Sequence, residues 1–156
     1  MRIKSRIFGE VEIDDEKIIT IPNGIMGFDE FKRYAIAYDS ESESKNGIMW
    51  LQSLDEESLA FPVMDPTHVM ENYSPMVEDE WLEPIGKFES DSDLYILTIL
   101  TVPSDIKKMT VNLKAPLIIN TLTRKGIQLI VNNEDYQVRY GIYDILEKNK
   151  KEAGAC

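Results

Sequence analysis

The chain's 156 residues carry 28 Asp and Glu against 17 Lys and Arg, a net charge of −11, and 43% of them are hydrophobic. Hydrophobicity at that level excludes a disordered chain, and a single domain of this length buries roughly 70% of the surface its unfolded form exposes. The acidic balance argues against a nucleic-acid binder, whose affinity comes mainly from Lys and Arg neutralising phosphates, and favours basic partners.

Near the start, "VEIDDEKIITI" (11–21) alternates apolar and polar residues and breaks at Asp14-Asp15, which predicts a hairpin. "IPNGIMGF" (21–28) follows, with Pro22-Asn23-Gly24 as ordinary turn chemistry. Its G-x-x-G spacing matches the loop with which KH domains clamp a nucleic-acid backbone, but this loop has no basic residue. "RYAIAYD" (33–39) predicts a strand with Tyr34, Ile36 and Tyr38 on one face, and "DSESESKNG" (39–47) an exposed loop. "MWLQSLDEESLAFPVMDP" (49–66) reads as two strands around an acidic turn, with Trp50, Leu59 and Phe61 in a core and Asp55, Glu56 and Glu57 in water.

The single histidine, His68, lies beside a proline in a turn. "SPMVEDEWLEPIG" (74–86) predicts a short helix with Ser74 as N-cap, Pro75 first, and Val77, Trp81 and Ile85 as its apolar stripe. "DLYILTILTV" (93–102), apolar on both faces, reads as the most buried strand. In "MTVNL" (109–113), Met109, Val111 and Leu113 point inward. Segments near 116–120, 127–131 and 136–140, joined by "TRKG" and "NNED", form an antiparallel meander, the last with Tyr136, Val138 and Tyr140 on its inner face. A second helix is expected over 143–151. The expected fold is all-β and mostly antiparallel, a small barrel-like single domain over 1–150 with one or two short helices and a flexible tail at 151–156.

One histidine and one cysteine, Cys156, cannot assemble a zinc site or a disulfide, and no calcium loop, P-loop or dinucleotide fingerprint occurs. The expectation is no cofactor, no metal and no catalytic residue. The N-terminus has basic residues but no apolar core behind them, so no signal peptide is expected. The apolar run at 94–100 is far shorter than the ~20 residues that span a bilayer, so a cytoplasmic protein off the membrane is expected. Two alternatives stay open. A small carboxylate-dependent hydrolase could use Asp55, Glu56, Glu57 or Asp65, provided one is buried with a raised pKa. A small barrel could also hold an apolar ligand.

Charge is most concentrated over 71–93, where Glu71, Glu78, Asp79, Glu80, Glu83, Glu89, Asp91 and Asp93 face Lys87 as the only basic residue. Acids near a helix N-terminus complement its dipole, which accounts for some of them. Glu71, Glu78, Asp79, Glu80 and Glu83 are the candidate docking residues for a basic protein.

Taken in order, "IFGEVEI", "IPNGIMGFDEFKRY", "MWLQSLDEESLAFPVMDP", "YILTILTVP", "VNLKAPLIIN" and "RKGIQLIV" resemble the FliW family of bacterial flagellar assembly factors over 8–140. The resemblance implies a small, cytoplasmic, non-catalytic β-barrel. It also implies binding to CsrA, an RNA-binding translational repressor, and to flagellin. Flagellin would occupy the protein until it is exported, and the protein so released would capture CsrA and relieve repression of flagellin translation. A chain of charge −11 would meet a basic RNA-binding repressor with favourable steering. Antagonism away from the RNA surface and acidic mimicry of RNA both remain open, and no direct contact with nucleic acid is expected.

Overall fold

The computed structural model describes residues 2–5, 9–37 and 48–154, with side chains through Lys148. Eleven strands are described: β1 (Arg2–Ser5), β2 (Gly9–Glu12), β3 (Ile19–Thr20), β4 (Arg33–Ala37), β5 (Met49–Ser53), β6 (Ala60–Met64), β7 (Leu94–Thr101), β8 (Thr110–Val111), β9 (Leu117–Asn120), β10 (Lys125–Gln128) and β11 (Tyr140–Gly141). They precede one α-helix, α1 (Tyr143–Gly154).

Seven of these strands close into a barrel. β3 to β7 pair antiparallel in succession, β7 pairs with β9, β9 with β10, and β10 returns to β3 through the parallel contact of Lys125 with Thr20. Residues directly opposite one another share a face of a sheet, so the register identifies the interior. Ile36 faces Leu51, Leu51 faces Phe61, Met49 faces Val63, Val63 faces Ile99, and Leu97 faces Leu117. These residues, with Ile19, Tyr34 and Ile119, make the main core. Interior side chains fill a barrel of this strand number.

Three further apolar clusters lie on the outer wall, each under its own stretch of chain. The β1–β2 hairpin puts Ile3 over Ala35 and Leu54, and its Ser5 hydroxyl donates to buried Gln52 Oε1 at 2.7 Å. Tyr73, Val111, Leu113 and Ile142 gather around Met64, with Ile145 and Leu146 of α1 at their edge. Leu82 and Ile85 cover Ile118 and Ile127 of the β9–β10 hairpin. A strand wall covered on both sides must be apolar on both faces, which explains "LYILTILT" in β7. The most buried strand is nevertheless β9, whose four residues are all buried, whereas β7 is only partly covered at its start.

Several sequence expectations change. β2 and β3 do not form a hairpin with each other: β2 pairs with β1 and β3 joins the barrel, because the 3-10 turn Asp15–Lys17 carries the chain between them. In β5 it is Leu51 that is fully buried inside, while Trp50 lies half-buried on the outer face. A one-residue phase decides that inversion. Phe61 does pack against the interior. The meander's first hairpin, β9–β10, is present, but residues 136–139 form no strand and Val138 is 57% exposed. Only β11 pairs there, with β8. Met109, Val111 and Leu113 are buried as expected. The predicted helix over 74–86 is instead a 3-10 helix, Asp79–Ile85, with Glu78 at its N-cap position. The C-terminal helix runs to Gly154, three residues past the expected end. Tyr38 and the 39–47 loop fall outside the described residues.

Candidate protein-docking groove

Two acidic stretches stand out in the sequence, and hydrogen bonding separates them. In the turn after β5, Asp55 closes the barrel edge. Its Oδ2 accepts the backbone N–H groups of Lys32 and Arg33, each at 3.0 Å. Its Oδ1 accepts Arg33 Nε at 2.8 Å and lies 2.8 Å from Nη2. Partial burial pushes this carboxyl up, but the two backbone N–H groups, the Arg33 hydrogen bond and the Arg33 charge together hold it below its ordinary value. Glu56 Oε1 accepts from Ser58 Oγ at 2.8 Å, and Asp65 Oδ1 accepts Thr67 Oγ1 at 2.7 Å and Thr67 N at 2.9 Å. Glu57 is exposed. Glu56 and Asp65 thus act as local turn acceptors, Asp55 ties its turn to the start of β4, and Asp55 shifts in the direction opposite to the one an acid catalyst requires.

Segment 71–93 wraps the outer wall between β6 and β7, and uncharged groups hold it. The Tyr73 ring stacks on Tyr136 with centroids 4.8 Å apart, and its hydroxyl donates to the Leu113 carbonyl at 2.8 Å. Burial, helped by Tyr136, raises the Tyr73 hydroxyl pKa well above its usual value, so it stays a donor. Ser74 is no N-cap. Its N–H donates to the Tyr136 hydroxyl at 2.8 Å and its carbonyl accepts Asn133 Nδ2 at 3.0 Å, which makes 73–76 an extended strap along 132–136. Met76 N donates to Asn133 Oδ1 and Asn132 N to the Met76 carbonyl. Extended geometry here, with Pro75 inside it, delays helix onset to Asp79.

At the far end of the 3-10 helix, fully buried Asn120 gathers three carbonyls through Nδ2: Ile85 at 3.0 Å, Gly86 at 3.3 Å and Lys87 at 3.1 Å. Thr123 Oγ1 also donates to Ile85 O, at 2.6 Å. Gly86 sits at φ 85°, and a Cβ there would fall 2.8 Å from Thr123 Cγ2, so the exit requires glycine. Asp93 works structurally, its Oδ2 accepting Glu89 N and Ser90 N at 2.9 and 3.1 Å.

The candidate docking residues are left over from this scaffolding. Glu71, Glu78, Asp79, Glu80 and Glu83 are all exposed, and among the described residues none pairs with a Lys or Arg. Asp79 and Asp91 rim a groove of about 430 Å³ whose apolar lining includes Leu82, Phe88, Leu94 and Ile96. Glu78 and Glu80 flank Asp79 in sequence, while Glu71 lies ahead of the strap and is not part of the groove lining. Charge counting missed the apolar half of this surface. Met76 and Ile130, 58% and 59% exposed, belong to the strap and the segment beside it. Met76 falls outside the Val77, Trp81 and Ile85 stripe, and that was the available signal. An apolar groove with an acidic rim and a flexible methionine nearby can seat an apolar anchor flanked by Lys or Arg.

The family model described as FliW protein matches residues 2–142. A relative from Lachnospira eligens named flagellar assembly factor FliW is 51% identical over 150 residues, covering 96% of this chain and 99% of its own length. The chain belongs to the FliW family. Another FliW, from Lachnoclostridium phytofermentans, is 48% identical over the full length of both chains. A crystal structure of the flagellar assembly factor FliW superposes with TM-score 0.82 at 27% identity, covering 92% of this chain and 97% of that one. The family match spans the barrel and the whole groove and stops before α1. Among the described residues no helix is long and apolar enough to cross a membrane, and no cluster of three or more His, Cys, Asp or Glu could hold a metal.

Proposed function

We propose that this chain serves flagellar assembly in the cytoplasm as a non-catalytic binding protein. It holds CsrA, a basic RNA-binding repressor, and flagellin in exchange, so that export of flagellin frees it to relieve repression of flagellin translation. Kinship with named flagellar assembly factors supports the process. The observation that supports the mode of action is the groove: Asp79 and Asp91 stand over Leu82 and Phe88 on a face where the neighbouring Glu78, Glu80 and Glu83 are exposed and unpaired.

The physical logic divides between the two halves of that surface. Unpaired carboxylates steer a basic partner into contact and raise its association rate, while the apolar lining supplies the contact that slows its release. Titration calorimetry with purified CsrA and with flagellin tests the reading, and heat from neither would reject it. Changing Glu78, Asp79, Glu80 and Glu83 together to Lys should cut CsrA association about tenfold at low salt, with less change in dissociation. Identical kinetics and salt dependence would move the docking site elsewhere.

A further inference from the structure

The barrel's two ends differ. One is plugged by the loop after β3: Ile21, Ile25 and Phe31 join the interior core, and interior-facing Gln128 accepts Met26 N at 2.8 Å. The other end lies where β4 finishes, β7 begins and the β9–β10 hairpin turns. It holds a pocket of about 400 Å³ floored by Ile19, Ile36, Tyr95 and Ile119 and rimmed by Lys17, Arg124 and Glu16. Barrel mouths are a preferred place for small-molecule sites, whose volumes run from roughly 300 to 1,000 Å³.

Arg124 is held at this rim by its backbone. At φ 59° it is the non-glycine residue with positive φ among the described residues, a conformation that favours glycine by roughly 1–2 kcal/mol. Its N–H donates to Asn120 O at 2.8 Å and its carbonyl accepts Thr20 N at 2.9 Å, so the residue is fixed from both sides. Nη1 donates to the Asp15 carbonyl at 3.2 Å, which directs the guanidinium toward the 3-10 turn bearing Lys17. A guanidinium has five N–H donors, and that contact uses one.

Charge then selects the occupant. In a chain of net charge −11 the rim, among the described residues, sets two cations against one acid over an aliphatic floor. A basic ligand gains nothing there, and a neutral apolar one leaves the cations unused. We propose that the barrel mouth binds a small monocarboxylate with an apolar tail, of the fatty-acid type. The tail lies on Ile19, Ile36, Tyr95 and Ile119, and the carboxylate sits between Arg124 and Lys17. Arg124 supplies the planar donor pair that a carboxylate accepts best. The site is separate from the outer groove and does not depend on the partner reading.

The test uses the full chain, titrated with decanoate below its micelle-forming concentration and followed by isoleucine methyl NMR. Decanol and decylammonium serve as uncharged and cationic controls. Saturable shifts are expected at Ile19, Ile36 and Ile119, with both controls weaker by about tenfold or more. Arg124→Gly relieves the strained backbone as it removes the charge, so it should keep the fold while weakening decanoate about tenfold. Lys17→Gln, on an exposed side chain, should weaken it less. The proposal is overturned by non-saturating shifts, by equal affinity for decylammonium, by unaltered binding to Arg124→Gly, or by shifts confined to Ile118 in the outer groove. Concentration-dependent sedimentation abolished by Arg124→Gly would assign the mouth to a second copy of the chain and overturn it as well.

Discussion

The β5–β6 turn and segment 71–93 are equally conspicuous as acidic stretches, yet their carboxylates do different things. In the first, Asp55 is committed to the Lys32 and Arg33 backbone and the Arg33 side chain. In the second, Asp93 takes the only comparable role, and its exposed neighbours are left to face solvent. The difference teaches that acid density does not mark a docking surface. What marks the proposed one is the set of carboxylates left over once the backbone has taken the acceptors it needs, placed beside an apolar lining.

The sharpest way to break this contrast is to detach the second region. Ile85→Ala empties a fully buried position in the outer cluster, and the protein should lose about 2–4 kcal/mol in urea unfolding. Asn120→Ala strips the gathered carbonyls of their donor and should cost about 2 kcal/mol. Limited proteolysis should then cut within 78–89 ahead of the barrel, and cutting elsewhere first would mean the end of the 3-10 helix is held by something other than Asn120.

Smaller effects belong to the first region. Asp55→Ala should cost about 1–2 kcal/mol through two unsatisfied backbone N–H groups, the partly exposed Arg33 pair adding little. The Asp55 pKa lies below its ordinary 3.8 when folded. Its stabilisation is therefore complete above that value and disappears as pH falls through the lower folded-state value. Acid titration of melting temperature should show a gentler loss below about pH 4 in Asp55→Asn than in the parent chain. Parallel curves would remove the ion from the account. The smallest effect on stability should come from the four-residue charge reversal at Glu78, Asp79, Glu80 and Glu83, within about 0.5 kcal/mol. A large loss there would show that these acids hold the fold together after all.

Much of the molecule was legible in the chain. Alternation announced the strands, the unbroken apolar run of β7 announced a wall covered on both sides, and the ordered motifs announced the family. The groove was legible in part: its charge was visible and its apolar lining was not. Leu82 comes from the 3-10 helix, Phe88 from the segment after it, and Leu94 and Ile96 from one face of β7, and no single periodicity links three pieces that meet only after the chain folds back. The barrel mouth was invisible for the same reason, since Lys17 and Arg124 lie 107 positions apart (124 minus 17) and share a rim only through closure.

What the sequence by itself determined is local: β character from the side-chain period, turns from Pro and Gly, the sign of the field from composition. Tertiary structure decided the phase of β5, the partners of β2 and β3, the 3-10 form of 79–85 and the division of acids into structural and available. These depend on which distant surface each segment covers. A one-residue slip or a strap of extended backbone changes little in the local energy, whereas the burial it allows or forbids changes a great deal.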